Sequence, residues 1–211
     1  IKTGLFSSQK QTVGYSYYLG WHYVLCLSPA TAPAALRELR VDGELVLGSI
    51  GAAGAYTLNS PDLFGGYKAG GGLTGTLRVL DGNGAQTVPS YLQQVLGTPQ
   101  PAHRGVLSAV AEQCYIGETL RLPNTEWMVE RYPNPLSNGL YLSINGDSNP
   151  VLVLLEAQLS NDYGRGRSLG VIDTASFSSA AATVHGEGLG FSLRWTPGDV
   201  YDLEKLLLDH I

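Results

Sequence analysis

Charge is the scarcest commodity in this 211-residue chain: Asp, Glu, Lys and Arg together make up 15% of it, against about 25% in ordinary soluble domains. A surface so short of charge is expected to be covered in part by partners, with Gly, Ser and Thr filling much of the rest. The thirteen Lys and Arg are scattered and the formal net charge is −5. That excludes the clustered basic footprint that grips nucleic acid, although a neutral or acidic wall along a DNA conduit is compatible with it. Cysteine is nearly absent. Cys26 and Cys114 each sit in an apolar run and read as free, buried thiols, and nothing in their spacing supports a disulfide. Two Cys and four dispersed His give no metal-ligand spacing. No apolar run reaches the roughly 20 residues of a membrane span. Ile1-Lys2-Thr3-Gly4 is not followed by the apolar core of a signal peptide. The chain starts without Met and stops at His210-Ile211 on an amphipathic helix, so both ends are expected to be cuts in a longer polypeptide.

Catalytic signatures are missing as well. The sequence holds no Gly-x-Ser-x-Gly elbow, no His-Glu-x-x-His, no phosphate-binding Gly-Lys-Ser/Thr and no dinucleotide fingerprint. Gly70-Gly71-Gly72 has no Lys to make it a phosphate cradle. Asp81-Gly82-Asn83-Gly84 offers oxygens without a third acid at calcium-loop spacing and reads as a turn. His22, on the even face of the first strand beside Ser16 and Cys26, is expected to pack or face solvent. His103-Arg104-Gly105 reads as a turn contact, and His185 as a cation at a helix end. A glycosidase would need two facing carboxyl groups. Glu112, Glu126 and Glu130 lie on or beside strands, and sequence cannot pair them. The expectation is therefore no catalytic, cofactor-binding or metal site and no enzymatic activity.

What is present is β pattern followed by α pattern. Val13, Tyr15, Tyr17, Leu19, Trp21, Tyr23 and Leu25 alternate with smaller or polar residues, a strand signal, and Gly14 and Gly20 suggest bulges or bends in it. The stripe Tyr15, Tyr17, Trp21, Tyr23 reads as a half-buried sheet face in preference to a sugar-binding platform. Asp42-Gly43 between two β-prone runs predicts a hairpin. Residues 48–72, rich in Gly and Ala, read as an exposed loop or flexible insertion. Strands are expected over 73–80, 106–116 and 126–132, and a short helix over 89–96. Pro133, Pro135 and Asn138-Gly139 mark a break. Beyond it, Asn149-Pro150, Asp173-Thr174 and Pro197-Gly198-Asp199 each announce a helix start, and 189–195 a strand. This gives an α+β fold: a β-rich, barrel-like domain over 1–135, a linker over 136–148, and the start of a smaller α+β domain over 149–211.

Four stretches carry a family likeness. They are Lys10-Gln11-Thr12-Val13-Gly14-Tyr15-Ser16-Tyr17-Tyr18-Leu19-Gly20 running on to Leu25-Cys26; Leu39-Arg40-Val41-Asp42-Gly43-Glu44; Asn149-Pro150 with its Leu-rich helix and Leu159-Ser160-Asn161-Asp162-Tyr163-Gly164; and Ile172-Asp173-Thr174-Ala175-Ser176-Phe177 leading to Glu187-Gly188-Leu189-Gly190-Phe191-Ser192-Leu193 and Trp195. In this order the chain resembles the tail-tip central hub proteins of long-tailed phages and prophages, the tip-attachment protein J family. It departs from them at Ser28-Pro29-Ala30, where relatives tend to carry Gly-Pro, and around 48–56. The resemblance implies tube-like β-barrel domains and a homotrimer that closes the tail tube in the virion's tail tip. It also implies contacts with the distal tail protein ring, the tape-measure protein and other minor tail proteins, and a part in genome delivery. The competing expectations are a carbohydrate-binding module of an adhesin, built on Tyr15, Tyr17 and Trp21, and a cell-wall hydrolase.

Overall fold

A computed structural model describes residues 14–51, 53–192 and 199–211. The fold is mixed α+β. Its strands are β1 (Tyr17–Leu27), β2 (Ala34–Val41), β3 (Glu44–Leu47), β4 (Gly54–Ser60), β5 (Leu73–Leu80), β6 (Val106–Gly117), β7 (Thr125–Arg131), β8 (Ser143–Ile144) and β9 (Asp147–Ser148); its helices are α1 (Ser90–Leu96), α2 (Pro150–Leu159), α3 (Thr174–Glu187) and α4 (Val200–His210). The strands form a four-stranded sheet in the order β1-β6-β5-β4, a three-stranded sheet in the order β3-β2-β7, and the β8-β9 hairpin. Among the described residues these sheets are open, and no closed barrel is formed.

The chain divides into two compact units. One holds Ala35–Val129 with the chain up to Cys26, and the other holds Leu27–Ala34 with Glu130–Ile211. In the first unit β6 is the central strand. Leu107, Ala109, Val110, Ala111, Cys114 and Ile116 are all buried on it, the near-continuous apolar run of a strand covered on both faces. α1 contributes to that cover, since Leu92 packs with Leu80 and Val110, flanked by Val88 and Tyr91. β5 pairs antiparallel with β6, with a register shift between Thr74 and Thr76. Gly75 sits in that shift at φ +155°, and a Cβ there would lie 2.6 Å from Cys114 Sγ, so the position requires glycine.

The Asp42-Gly43 turn forms as the sequence predicts. Val41 faces Glu44 across a two-residue loop, and both Asp42 (φ 50°) and Gly43 (φ 84°) take positive φ, the handedness that matches strand twist. Residues 48–72 differ from the expected loop. β4 lies inside them and pairs with β5 from Gly54↔Val79 to Ser60↔Leu73, with Leu58 1% exposed. Its alternating Tyr56 and Leu58 are outweighed in composition by the Gly and Ala around them. Further on, two 3-10 turns, Leu63–Gly65 and Tyr67–Ala69, fold the chain tightly. Gly71 NH donates to Gly66 O (2.8 Å) and Gly72 NH to Leu63 O (2.8 Å), and a Cβ on Gly71 would strike the Phe64 backbone. The glycines there serve close backbone packing.

In the second unit α2 is sandwiched. Val151 and Leu152 pack with Ile144, Ala181 and Val184 on the α3 side, while Ala157 packs with Leu203 and Leu207 of α4. A helix contacted on opposite faces is apolar most of the way round. Asn149, Asp173 and Asp199 cap the three helices, accepting from the backbone NH of Val151, Ser176 and Tyr201 respectively. The stretch read as a linker holds the β8-β9 hairpin, and Ser148 bridges antiparallel to Phe191. The expected strand over 189–195 lies partly outside the described residues, as do Val13, Pro197 and Gly198.

Candidate functional site

β1 offers the most distinctive surface in the first unit. Eleven residues long, it stands at one end of its sheet and pairs only with β6 among the described residues. None of its side chains is buried. Tyr18 (61%) and Val24 (56%) are exposed on one face and Tyr23 (40%) on the other. Part of each face is nevertheless occupied: Tyr18 meets Tyr115 edge-on at 5.7 Å, and Tyr23 meets Trp127 at 5.8 Å. Gly20 lies against α1. A Cβ there would collide with the Tyr91 hydroxyl, so glycine makes room for the α1 ring. Of the rings proposed as a sugar platform, Tyr15 is exposed while Tyr17 and Trp21 are half-buried. Stacking on a sugar needs flat faces open together, and half-buried rings favour packing instead.

His22 and His103 come together, which sequence reasoning did not anticipate. Their rings meet edge-to-face at 4.6 Å. Burial, and next the neighbouring His103, lower the pKa of His22 below the ordinary histidine range. The loop that carries His103 is held by Gln86, a buried residue with no prior signal in the sequence. Its Oε1 accepts from Gly82 NH (2.8 Å), and its Nε2 donates to the carbonyls of Ala102 (2.5 Å) and His103 (3.1 Å). Arg104 Nε donates to the Gln86 carbonyl (3.1 Å). The Asp81-Gly82-Asn83-Gly84 oxygens are used locally: Asp81 Oδ1 accepts from Asn83 Nδ2 (2.7 Å) and Asn83 Oδ1 from Ala85 NH (2.9 Å).

The acids are distributed. Arg78 Nε donates to Glu112 Oε1 at 2.5 Å across β5 and β6. Glu126 points to solvent on β7 and Glu130 is half-buried. His185 rests against Tyr141 at 5.4 Å in the last turn of α3. Neither cysteine is in a disulfide; Cys114 is buried and Cys26 half-buried. Burial pushes the Cys114 pKa up to about 11, which makes it inert as a nucleophile. Among the described residues no three His, Cys, Asp or Glu gather to hold a metal ion, and no helix is long and apolar enough to cross a membrane.

In the second unit Arg131 and Glu156 form a bidentate pair, Nη1 to Oε2 at 2.9 Å and Nη2 to Oε1. Burial first, and Glu156 next, push the neighbouring Tyr163 up to about 12. Arg165 and Glu204 form a second bidentate pair (2.6 and 2.5 Å). Such pairs join residues 25 and 39 positions apart and leave no periodic trace in the sequence. In the first unit β1 stands at one end of its sheet with Tyr18, Tyr23, Val24 and Leu27 exposed. No protein-family model and no curated protein matches the chain.

Proposed function

We propose that the chain is a structural subunit of a phage tail-tip hub, without catalytic activity, that assembles as a homotrimer to close the tail tube in the virion. The observation that carries this reading is β1, an edge strand of eleven residues with large apolar side chains exposed on both faces. An open, apolar edge is a template for pairing with another chain and is otherwise an aggregation hazard. A closed ring of copies resolves that hazard by symmetry. The low charge content supports the same reading, because surfaces buried between subunits are depleted in charge. In this reading the open sheets of the first unit become parts of a tube-like barrel wall. The distal tail protein ring, the tape-measure protein and other minor tail proteins are the further partners, and the assembled hub takes part in genome delivery.

Cryo-electron microscopy of the assembled particle tests this. Three copies arranged about an axial channel are expected, with β1 at a subunit boundary. A single copy within assembled tails would overturn the proposal.

A further inference from the structure

The contact between His22 and His103 joins β1 to the 97–105 segment. Both side chains are half-buried, and their rings meet edge-to-face at 4.6 Å. The Nε2 of His22 is buried without a hydrogen-bond partner. An imidazolium has two N–H donors to satisfy and a charge to keep solvated, so this setting suits the neutral ring.

The groups around His22 give a proton no compensation. Arg104, next to His103, donates through Nε to the Gln86 carbonyl (3.1 Å). α1 carries no charged side chain; its Tyr91 hydroxyl lies at Gly20. Glu112, the one charged residue of β6, is bound by Arg78 at 2.5 Å. In the 81–84 turn, Asp81 Oδ1 accepts from Asn83 Nδ2 (2.7 Å). On the opposite face of β1, Tyr23 meets Trp127 of β7. The influences on His22 are burial first and His103 second, and both oppose the proton.

The 97–105 segment is held by a few bonds. Gln86 Nε2 reaches the carbonyls of Ala102 and His103, and Gly105 NH donates to Gly82 O (2.7 Å). His103 itself sits at φ 52°, a conformation that costs energy in any residue with a Cβ. The closed arrangement is therefore under strain before any charge is added.

We propose that the His22–His103 contact is an acid-sensitive latch: a proton on His22 parts the two rings and releases residues 102–105 from β1 while the sheet stays folded. The proposal does not depend on the hub reading.

The test is hydrogen–deuterium exchange of the full chain, read by NMR amide by amide from pH 7.5 to 5 and corrected for the intrinsic pH dependence of exchange. The Gly105 amide reports the latch, and the amides of β5 and β6 report the sheet. Gly105 should exchange well ahead of β5 and β6 at every pH, the mark of a local opening. Its opening equilibrium should rise about tenfold per pH unit below about 6.5, as expected for one proton taken up on opening. The rise should vanish in His22→Leu and in His22→Gln; one of these that melts like the parent suffices. A corrected rate at Gly105 that does not change with pH, exchange of Gly105 in step with β5 and β6, or the same rise in a His22 variant would each overturn the proposal.

Discussion

His22 illustrates how much a single side chain can report. It is half-buried, its ring edge meets His103, and its Nε2 is buried without a hydrogen-bond partner. A proton on the ring would place charge in that setting and beside a second imidazole, and burial accordingly lowers the folded-state pKa. The unfolded chain then binds more protons than the folded one. The contribution of His22 is fully present above the ordinary histidine value of about 6.5 and is lost as pH falls below it toward the folded value. Melting temperatures measured from pH 8 to pH 5 should therefore fall more for the parent chain than for His22→Leu, which cannot titrate. Parallel curves would show that the histidine contact does not couple to folding. The sequence placed His22 on a strand face, but it could not pair it with His103, because that pairing depends on Gln86 pinning a loop 16 and 17 residues away. Gly75 was equally silent. Its necessity follows from the Cys114 side chain opposite it, a neighbour that only the sheet register supplies.

At the scale of elements, helix starts are the most legible feature. Asn149-Pro150, Asp173-Thr174 and Asp199 each sit where an uncapped helix would leave backbone NH groups without partners, and each does cap. The Asp42-Gly43 turn is legible for the same reason: its chemistry is local. β4 and the β8-β9 hairpin were not legible. β4 is short and set among Gly and Ala, and its pairing is decided by β5; β8 and β9 have two residues each. Asn149 has a further role that capping statistics do not reveal. It is fully buried, its Oδ1 accepts from Val151 NH (3.0 Å), and its Nδ2 donates to the Ala181 carbonyl of α3 (2.9 Å). Asp is as good a cap as Asn, but it has no donor for Ala181 and would set a buried carboxylate against a carbonyl oxygen. Asn149→Asp should therefore cost about 2–4 kcal/mol in urea unfolding, the scale of a buried polar group left unsatisfied. A variant as stable as the parent would mean that the side chain caps α2 without tying it to α3.

For the molecule as a whole, the informative features are a shortage of charge and an uncovered strand edge. The aromatic alternation on β1 was readable from sequence, because period two is a property of the strand alone. Its position at the end of the sheet was not, because strand order depends on contacts between distant segments. Val24 separates folding from assembly at this edge. It is 56% exposed, so replacing it removes little intramolecular packing, and surface changes of this kind usually stay within about 0.5 kcal/mol. A lysine on an edge strand, however, opposes pairing with a further strand, because its charge must be desolvated at the new interface. On the tail-hub proposal, Val24→Lys should melt like the parent by circular dichroism yet be lost from assembled tails, as read by the protein content of purified particles. Wild-type incorporation would remove β1 from the subunit contacts. Loss of incorporation together with loss of the melting transition would instead place Val24 in the fold of the subunit itself.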